Sequence, residues 1–498
     1  MAVAVLSVLL VASCTAAPGR ADSVTTPIAL PSGTLAAVCG HQPPGPTTPP
    51  KGAVVVNPKV DSDLDKKTAG NPPGTTFWLA PGSHTLGTDQ FGQVTPKHGD
   101  TYLGAPGAVL DGRGKNMYAF TQQAENVTIE YLTVEGFVPP TDQGVVNHDS
   151  GNGWVIAHDT IQNNSGAGLM AGAHQVVRGN CLKDNGQYGM NAFQAAGGIT
   201  DLTVIGNEIV GNNTTDIEHR IPGCGCSGGV KFWKVNGALV QNNWVHDNHG
   251  VGLWMDTNNN DFVVEDNVVD NNDDEAIFYE ISYNAIIRNN VLRGNAVVEG
   301  KAFASRDDNF PVGAIYISES GGEPRIPART DQLEIYGNQL QNNWSGITLW
   351  ENADRFCNSP NNSSGGCNRV VNDRTRCVQP GIASQPLYSD CRWKTQRVSI
   401  HGNRFMTDPV SMRCSRVYCG RMAILSNFGS SPGWSPYKGP VIQQAITFHQ
   451  YNRWQDNSYA GPWSFTVENT GKVVDANTWQ GAPYRQDKGS TFASKEGN

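Results

Sequence analysis

The sequence predicts an all-β solenoid, a right-handed parallel β-helix, and three observations carry that expectation. An asparagine-centred phrase recurs through the middle of the chain at intervals mostly in the twenties. Each copy carries Val, Ile or Leu at alternate positions, the period of a strand. Gly is abundant, 56 in 498 residues, and only 16% of residues are charged, which suits short strands and tight turns better than helical bundles.

Taken in chain order, the first element is MAVAVLSVLLVASCTAAPG. Its apolar run over 1–12 is too short to span a membrane and ends in small residues, so residues 1–22 read as a signal peptide and the protein as secreted. A basic stretch ahead of the run is missing. Val11-Ala12-Ser13-Cys14 resembles a bacterial lipobox, in which case a lipidated Cys14 would tie the protein to the cell surface. An ordinary secretory signal with a chance cysteine is the other reading.

Residues 23–51, rich in Pro, Thr, Gly and Ser, read as a flexible tether. The solenoid is assigned to 52–430. Residues 431–498, where the asparagine phrase lapses and Trp and Tyr gather, are expected to cover its end, because a bare edge would pair with other chains. Eleven cysteines are present. Ten remain once Cys14 is set aside, an even number that suits disulfides in an exported protein. Cys224-Gly225-Cys226 lacks the companion CxxC or His pair of a metal site, so no metal is expected there.

The repeats are VVRGNCLKDN (176–185), TVIGNEIVGN (203–212), LVQNNWVHDN (239–248), VVEDNVVDNN (263–272), IIRNNVLRGN (286–295) and EIYGNQLQNN (334–343). In each, a key Asn is followed five residues later by a second. Asp159 with Asn164, and Asn403, fit the same frame. Asp159, Asn180, Asn207, Asn243, Asn267 and Asn290 are separated by 21, 27, 36, 24 and 23 residues. Such spacing, with two or three short strands per turn, means stacked coils. Asn suits the left-handed backbone of a sharp corner, and stacked Asn side chains are expected to hydrogen-bond from coil to coil.

After the second Asn of each coil comes another strand: GLMAG (168–172), GMNAF (189–193), GVKFW (229–233), GLWMD (252–256), AIFYE (276–280), AIYIS (314–318) and GITLW (346–350). If Leu169, Met190, Val230, Leu253, Ile277, Ile315 and Ile347 face inward, two outward columns follow. One runs Met170, Asn191, Lys231, Trp254, Phe278, Tyr316, Thr348. The other runs Gly172, Phe193, Trp233, Asp256, Glu280, Ser318, Trp350. Parallel coils stack about 4.8 Å apart, so Asp256 and Glu280 become neighbours, with Lys231 one coil below. Trp254, Phe278, Tyr316, Trp233 and Trp350 surround them as an exposed aromatic cluster suited to sugar rings. Long insertions after Asn212 and Asn295 lead into the same sheet on either side of the two acids, and a Cys-rich one, 353–397, follows Trp350. His249, at the turn entering the Asp256 strand, is a further candidate acid, base or binding group. The plainer reading of the acids is a solvated edge paired to Lys231 or Lys234.

The repeat, the opening segments PPGTTFWLAPGSHTL (72–86) and GAPGAVLDG (104–112), and GVKFW…GLWMD…AIFYEISYNAIIRNN together resemble the pectate-lyase-like superfamily of secreted parallel β-helix proteins. That resemblance implies a carbohydrate ligand and leaves lyase, glycoside hydrolase, epimerase and non-catalytic binder open. The consecutive Asn-x-Asp, Asp-Asp, Gly-His-Gly and Arg-x-Lys motifs of polygalacturonases are absent.

The residues themselves favour a polysaccharide-cleaving glycoside hydrolase in which Glu280 is the acid and Asp256 the nucleophile, since neighbouring coils match the short carboxyl separation of retaining enzymes. Lys231 would orient a hydroxyl or stabilise charge. The alternatives are a lyase or epimerase on uronate polymers, with Lys231 as base or charge neutraliser, and a surface protein that binds glycans without turnover. No cofactor is implied, calcium entering only in the lyase alternative. A net charge of -9 argues against nucleic acid, and a solenoid of this kind needs no partner subunit, so a monomer is expected.

Overall fold

The computed structural model describes residues 35–493 apart from 222–226, 354, 358, 360–366, 372–373, 378–387, 427–434 and 438, and apart from the side chains of 218, 219 and 374. The expected signal segment with Cys14, the start of the tether and the Cys224–Cys226 pair lie outside the described residues.

Among the described residues, three sheets run the length of the molecule, two of 13 strands and one of 11, and neighbouring strands come from successive coils. All pairings but one between named strands are parallel, the exception being Val473–Val474 against Ser464–Glu468 at the far edge of the third sheet. The chain is therefore a parallel β-helix, right-handed as parallel crossovers are. One coil shows the plan. Asn236–Gln241 lies in the first sheet, Trp244–His246 in the second and Val251–Asp256 in the third. Asn243 and Asn248 stand at the two corners between them.

Those corners explain the repeat. Asn267 Nδ2 donates to Asn290 Oδ1 and to Val240 O, both at 2.9 Å, while its Oδ1 accepts from the backbone N and Nδ2 of Asn243. The same pattern links Asn180, Asn207, Asn243, Asn267, Asn290, Asn338, Asn403 and Asn457. A second ladder joins Asn164, Asn185, Asn212, Asn248, Asn272, Asn295 and Asn343. The ladder residue is not the left-handed one, contrary to the sequence expectation. The residue before it takes that conformation, as at Asn242 (φ 54), Asp247 (φ 52), Asp266 (φ 56) and Gly179 (φ 62). The pair thus divides the labour: one turns the chain, and the next points its amide inward to satisfy backbone groups that no water reaches.

Leu169, Met190, Val230, Leu253, Ile277, Ile315 and Ile347 are buried and stack as one inner column of a continuous core. Just before Leu253 the chain must pass close to the ladder. A Cβ on Gly252 would lie 2.8 Å from Ala276 O and 2.9 Å from Val269 Cγ1, so glycine is required there for space.

Two boundaries move. Residues 35–51 are docked, not a free tether. Cys39 is disulfide-bonded to Cys181, the amides of Val38 and Cys39 donate to Glu208 Oε2 at 2.6 and 2.8 Å, and Trp78 Nε1 donates to Pro46 O. This strap runs back across several coils. A Pro-rich segment has fewer conformations to lose on docking, which makes such a strap less costly than its composition suggests.

At the other end the coils continue past residue 430. Arg453–Gln455, Ser458–Ala460 and Ser464–Glu468 extend the three sheets in turn, and Asn457 carries the first ladder on to Asp487. The Asp456-Asn457 pair is the usual corner phrase; only the second ladder's Asn is missing, which made the repeat look finished. The aromatic residues then close the core, with Trp479 buried and stacked 4.9 Å from Phe465.

Candidate functional site

The third sheet places its outward residues by register. Lys231 lies opposite Trp254, and Trp233 opposite Asp256. Met255 lies opposite Tyr279, so the next pair in that register is Asp256 beside Glu280. Lys231 Nζ stands 3.1 Å from Asp256 Oδ2 and 3.9 Å above the Trp254 ring. Trp254 Nε1 donates to Glu280 Oε2 at 3.1 Å. Thr257 Oγ1 donates to Asp256 Oδ1 at 2.6 Å. The two acids, the lysine and the indole form one connected group.

The insertions add what the strands alone do not. Arg355, from the Cys-rich segment, pairs with Glu280 Oε1. Its segment is held by the disulfides Cys357–Cys367 and Cys377–Cys391 over a small core that includes Phe356 and Tyr437. The insertion after Asn295 forms the helix Val297–Ser305, seated so closely on Trp344 that a Cβ on Gly300 would fall 2.2 Å from its ring. It then brings Phe310 edge-on to Tyr316 at 5.8 Å and Trp350 at 4.7 Å.

These covers correct the picture of an exposed aromatic cluster. Trp254 is buried, and Phe278, Tyr316, Trp233 and Trp350 are half-buried. Trp254, Phe278 and Tyr316 form a stack with centroids 5.3 and 4.6 Å apart, so their faces are largely spent on each other. Strand alternation tells which residues leave the core but not what lies over them. His249 is not brought to the acids. It pairs with Asp273 at 3.0 Å, at the entry end of the strand whose exit end carries Asp256, and its side chain is 56% exposed.

Three groups join the site that the sequence reading did not single out. Arg355 is one. Glu319 follows Ser318 in the next coil, fully buried, and accepts from Asn352 N at 2.6 Å and from Ser318 Oγ. Asn191 lies directly opposite Lys231 one coil earlier; it is 7% exposed and its Oδ1 meets no donor among the described residues. A buried amide oxygen left unmet is costly, and it points to a ligand or water that donates to it. Its signal was its place: an amide in an outward column otherwise apolar around Lys231.

Burial sets the electrostatics. It pushes the Glu280 carboxyl up, helped by Asp256 and opposed by Arg355 and Lys231. Burial likewise lifts Glu319 to about 7, aided by Glu280 and opposed by Arg355. Glu280 in turn holds the Arg355 guanidinium charged. In the folded protein Glu319 keeps its proton between about pH 4.5 and 7, where the unfolded chain has lost it, so stability falls as pH rises through that window. The cost is on the order of 3 kcal/mol. Thermal denaturation from pH 5 to 8 is expected to show this decline, and Glu319→Gln to flatten it. A variant with the wild-type slope would place the proton elsewhere.

Asp256 and Glu280 do not fit a calcium site. Each already faces a cation, and among the described residues no group of three or more His, Cys, Asp and Glu is placed to hold a metal ion.

The family model for the right-handed β-helix region matches residues 144–326. No curated protein sequence matches the chain. Among solved structures, a mannuronic-acid-specific polysaccharide family 6 lyase from human gut microbiota is similar at 10% identity with a TM-score of 0.46, over 89% of this chain and 91% of its own. The A-module of the Azotobacter vinelandii mannuronan C-5 epimerase AlgE6 is similar at 14% identity and a TM-score of 0.38, over 70% and 93%. A double mutant of the periplasmic alginate epimerase AlgG shows 12% identity and a TM-score of 0.36, over 75% and 78%.

Proposed function

We propose that the protein acts on a uronate-bearing polysaccharide by removing the proton beside the sugar carboxylate, as a lyase or an epimerase. The observation that carries this reading is how the two acids are engaged. Glu280 receives Trp254 on one oxygen and Arg355 on the other. Asp256 receives Thr257 on one and Lys231 on the other. A retaining glycosidase needs one carboxyl to hand over a proton and a second with an oxygen free to attack. Here all four oxygens are engaged, and the groups best placed to meet an anionic sugar are the two cations and the Asn191 amide.

The chemistry follows from charge. The hydrogen on C5 of a uronate becomes removable when its carboxylate is neutralised, since the charge that develops spreads onto that group. Arg355 supplies the neutralising charge, and Glu280, with its raised affinity for a proton, can take one up and release the guanidinium to the sugar. Lys231, held beside Asp256 at 3.1 Å, is the base: its amine, once it has given its proton to solvent, takes the C5 hydrogen. Asn191 Oδ1 accepts from a sugar hydroxyl and fixes the ring. Lyase and epimerase differ in where the proton goes next. Delivered to the glycosidic oxygen as the C4–O bond breaks, it leaves a C4=C5 double bond. Delivered to the opposite face of C5, it inverts that centre.

The test is a panel of polymannuronate, polyguluronate, polygalacturonate and glucuronan, with neutral glucans as controls. Ultraviolet absorbance of unsaturated ends, reducing ends and the proton spectrum of the polymer are followed together. Absorbance on a uronate polymer marks a lyase, and inverted C5 signals without new ends mark an epimerase. New reducing ends without absorbance would return the site to hydrolysis. Binding without any change would leave a glycan-binding protein.

A further inference from the structure

The outward columns differ on the two sides of Asp256. Toward higher residue numbers they close. Glu280 and Ser318 are each 5% exposed, Thr348 is fully buried with its Oγ1 donating to Pro311 O at 2.6 Å, and Phe310 and Arg355 lie over the neighbours. Toward lower numbers the column opens. Trp233 lies directly beside Asp256. Phe193, one coil further, is 38% exposed, with its ring centroid 4.8 Å from that of Trp233. The Lys234 ammonium sits 3.7 Å over Trp233. Beyond Phe193 the column continues with Gly172, which puts no side chain against the outer face of the phenyl ring.

Among the described residues, an exposed phenyl ring beside the half-buried Trp233, on a sheet whose aromatics past Asp256 lie under Phe310 and Arg355, forms an apolar face open to a ligand. An aromatic face with a cation at its rim matches a sugar that carries a carboxylate on an apolar ring face. Successive sugars of an extended chain advance by about one coil each, so a polymer whose reacting sugar meets Lys231 and Asp256 would lay its next sugars over Trp233 and Phe193.

We infer that the substrate chain lies on that one side only, over Trp233 and Phe193 beside Lys234, with its terminal sugar against the Glu280–Arg355 pair, so that the protein works on chain ends. This rests on the uronate reading above. An enzyme that cuts within a chain needs room for sugars on both sides of the reacting bond, and past Glu280 the column offers none among the described residues.

Two measurements test it. On the responsive polymer, product release is followed beside viscosity. Small products of one size with viscosity nearly unchanged are expected, and a rapid viscosity fall with a broad ladder of oligomers would overturn the inference. Tryptophan fluorescence is then titrated with oligouronates of two to five sugars, which needs no turnover. Affinity is expected to rise with length, and Phe193→Ala to lose about tenfold for the longest, whereas Phe91→Ala, at an exposed site outside the sheet, binds as wild type. If no uronate polymer is altered, the catalytic reading fails, and the titration still decides this one: affinity independent of length, or Phe193→Ala binding like wild type, would sink it.

Discussion

Lys231→Met is expected to lower turnover of the responsive uronate polymer by about 10^2- to 10^4-fold with little change in KM, the loss typical when a general base is removed. Methionine keeps the length and apolar stem that pack on Trp254, so the indole and its bond to Glu280 stay in place. What disappears is the amine that stands beside Asp256 and takes the C5 hydrogen. Asp256 retains Thr257 and is partly solvated, so the loss of its cation does not strand a buried charge. Melting temperature and circular dichroism check that the coil is intact. The companion variant is Glu280→Gln. Under hydrolysis Glu280 is the acid and its loss abolishes cleavage, while Lys231 only orients and its loss costs about tenfold. Under proton abstraction the ranking reverses. A Lys231→Met protein that keeps a tenth or more of wild-type turnover removes the lysine from the chemistry.

The parts of this molecule that were legible in sequence are those whose determinants are local or periodic. The coil is written in corner pairs such as Asp266-Asn267 and in alternate apolar residues, so stacking and register follow from counting. Register in turn placed Asp256 beside Glu280 and Lys231 beneath them, and Trp254 opposite Phe278. The rest depends on segments with no period. Arg355 reaches Glu280 across 75 residues, and Cys39 reaches Cys181 across 142; neither contact has a spacing rule that a single sequence can reveal. The covering of the aromatic stack fails for the same reason. Alternation reports which side of a strand a residue takes, whereas burial of that side is decided by Phe310 and Arg355, which arrive from irregular chain. The hydrolase reading weighed the two acids with Lys231 alone, whereas Arg355, from an insertion with no period, also engages Glu280.

The fold's own weak point is the ladder, and Asn267→Ala should show it. Asn267 is fully buried and completes four hydrogen bonds, donating to Val240 O and Asn290 Oδ1 and accepting twice from Asn243. Alanine leaves the Asn243 backbone amide unmet, takes one of the two acceptors of Asn243 Nδ2, which keeps Val204 O, removes the side-chain donor to Val240 O, and opens a void at the corner. Each unmet buried group costs about 1–3 kcal/mol, so a total of about 4 kcal/mol or more is expected, at the upper end for a single substitution. A repeat array does not unfold as one unit, because each coil is stabilised chiefly by its two neighbours. The damage should therefore be local. Amide hydrogen exchange is expected to quicken in residues 236–295, the coils on either side of the missing amide, while the strap coil near Cys181 and the terminal coil at Asn457 keep their protection. Asn267→Asp retains the acceptor but loses both donors, and at neutral pH it buries a charge beside Asn290 Oδ1, so it should be no milder. Uniformly faster exchange would mean that the coils unfold together. Unchanged exchange would mean that backbone stacking holds the corner without the amide, and that the asparagine repeat has another cause.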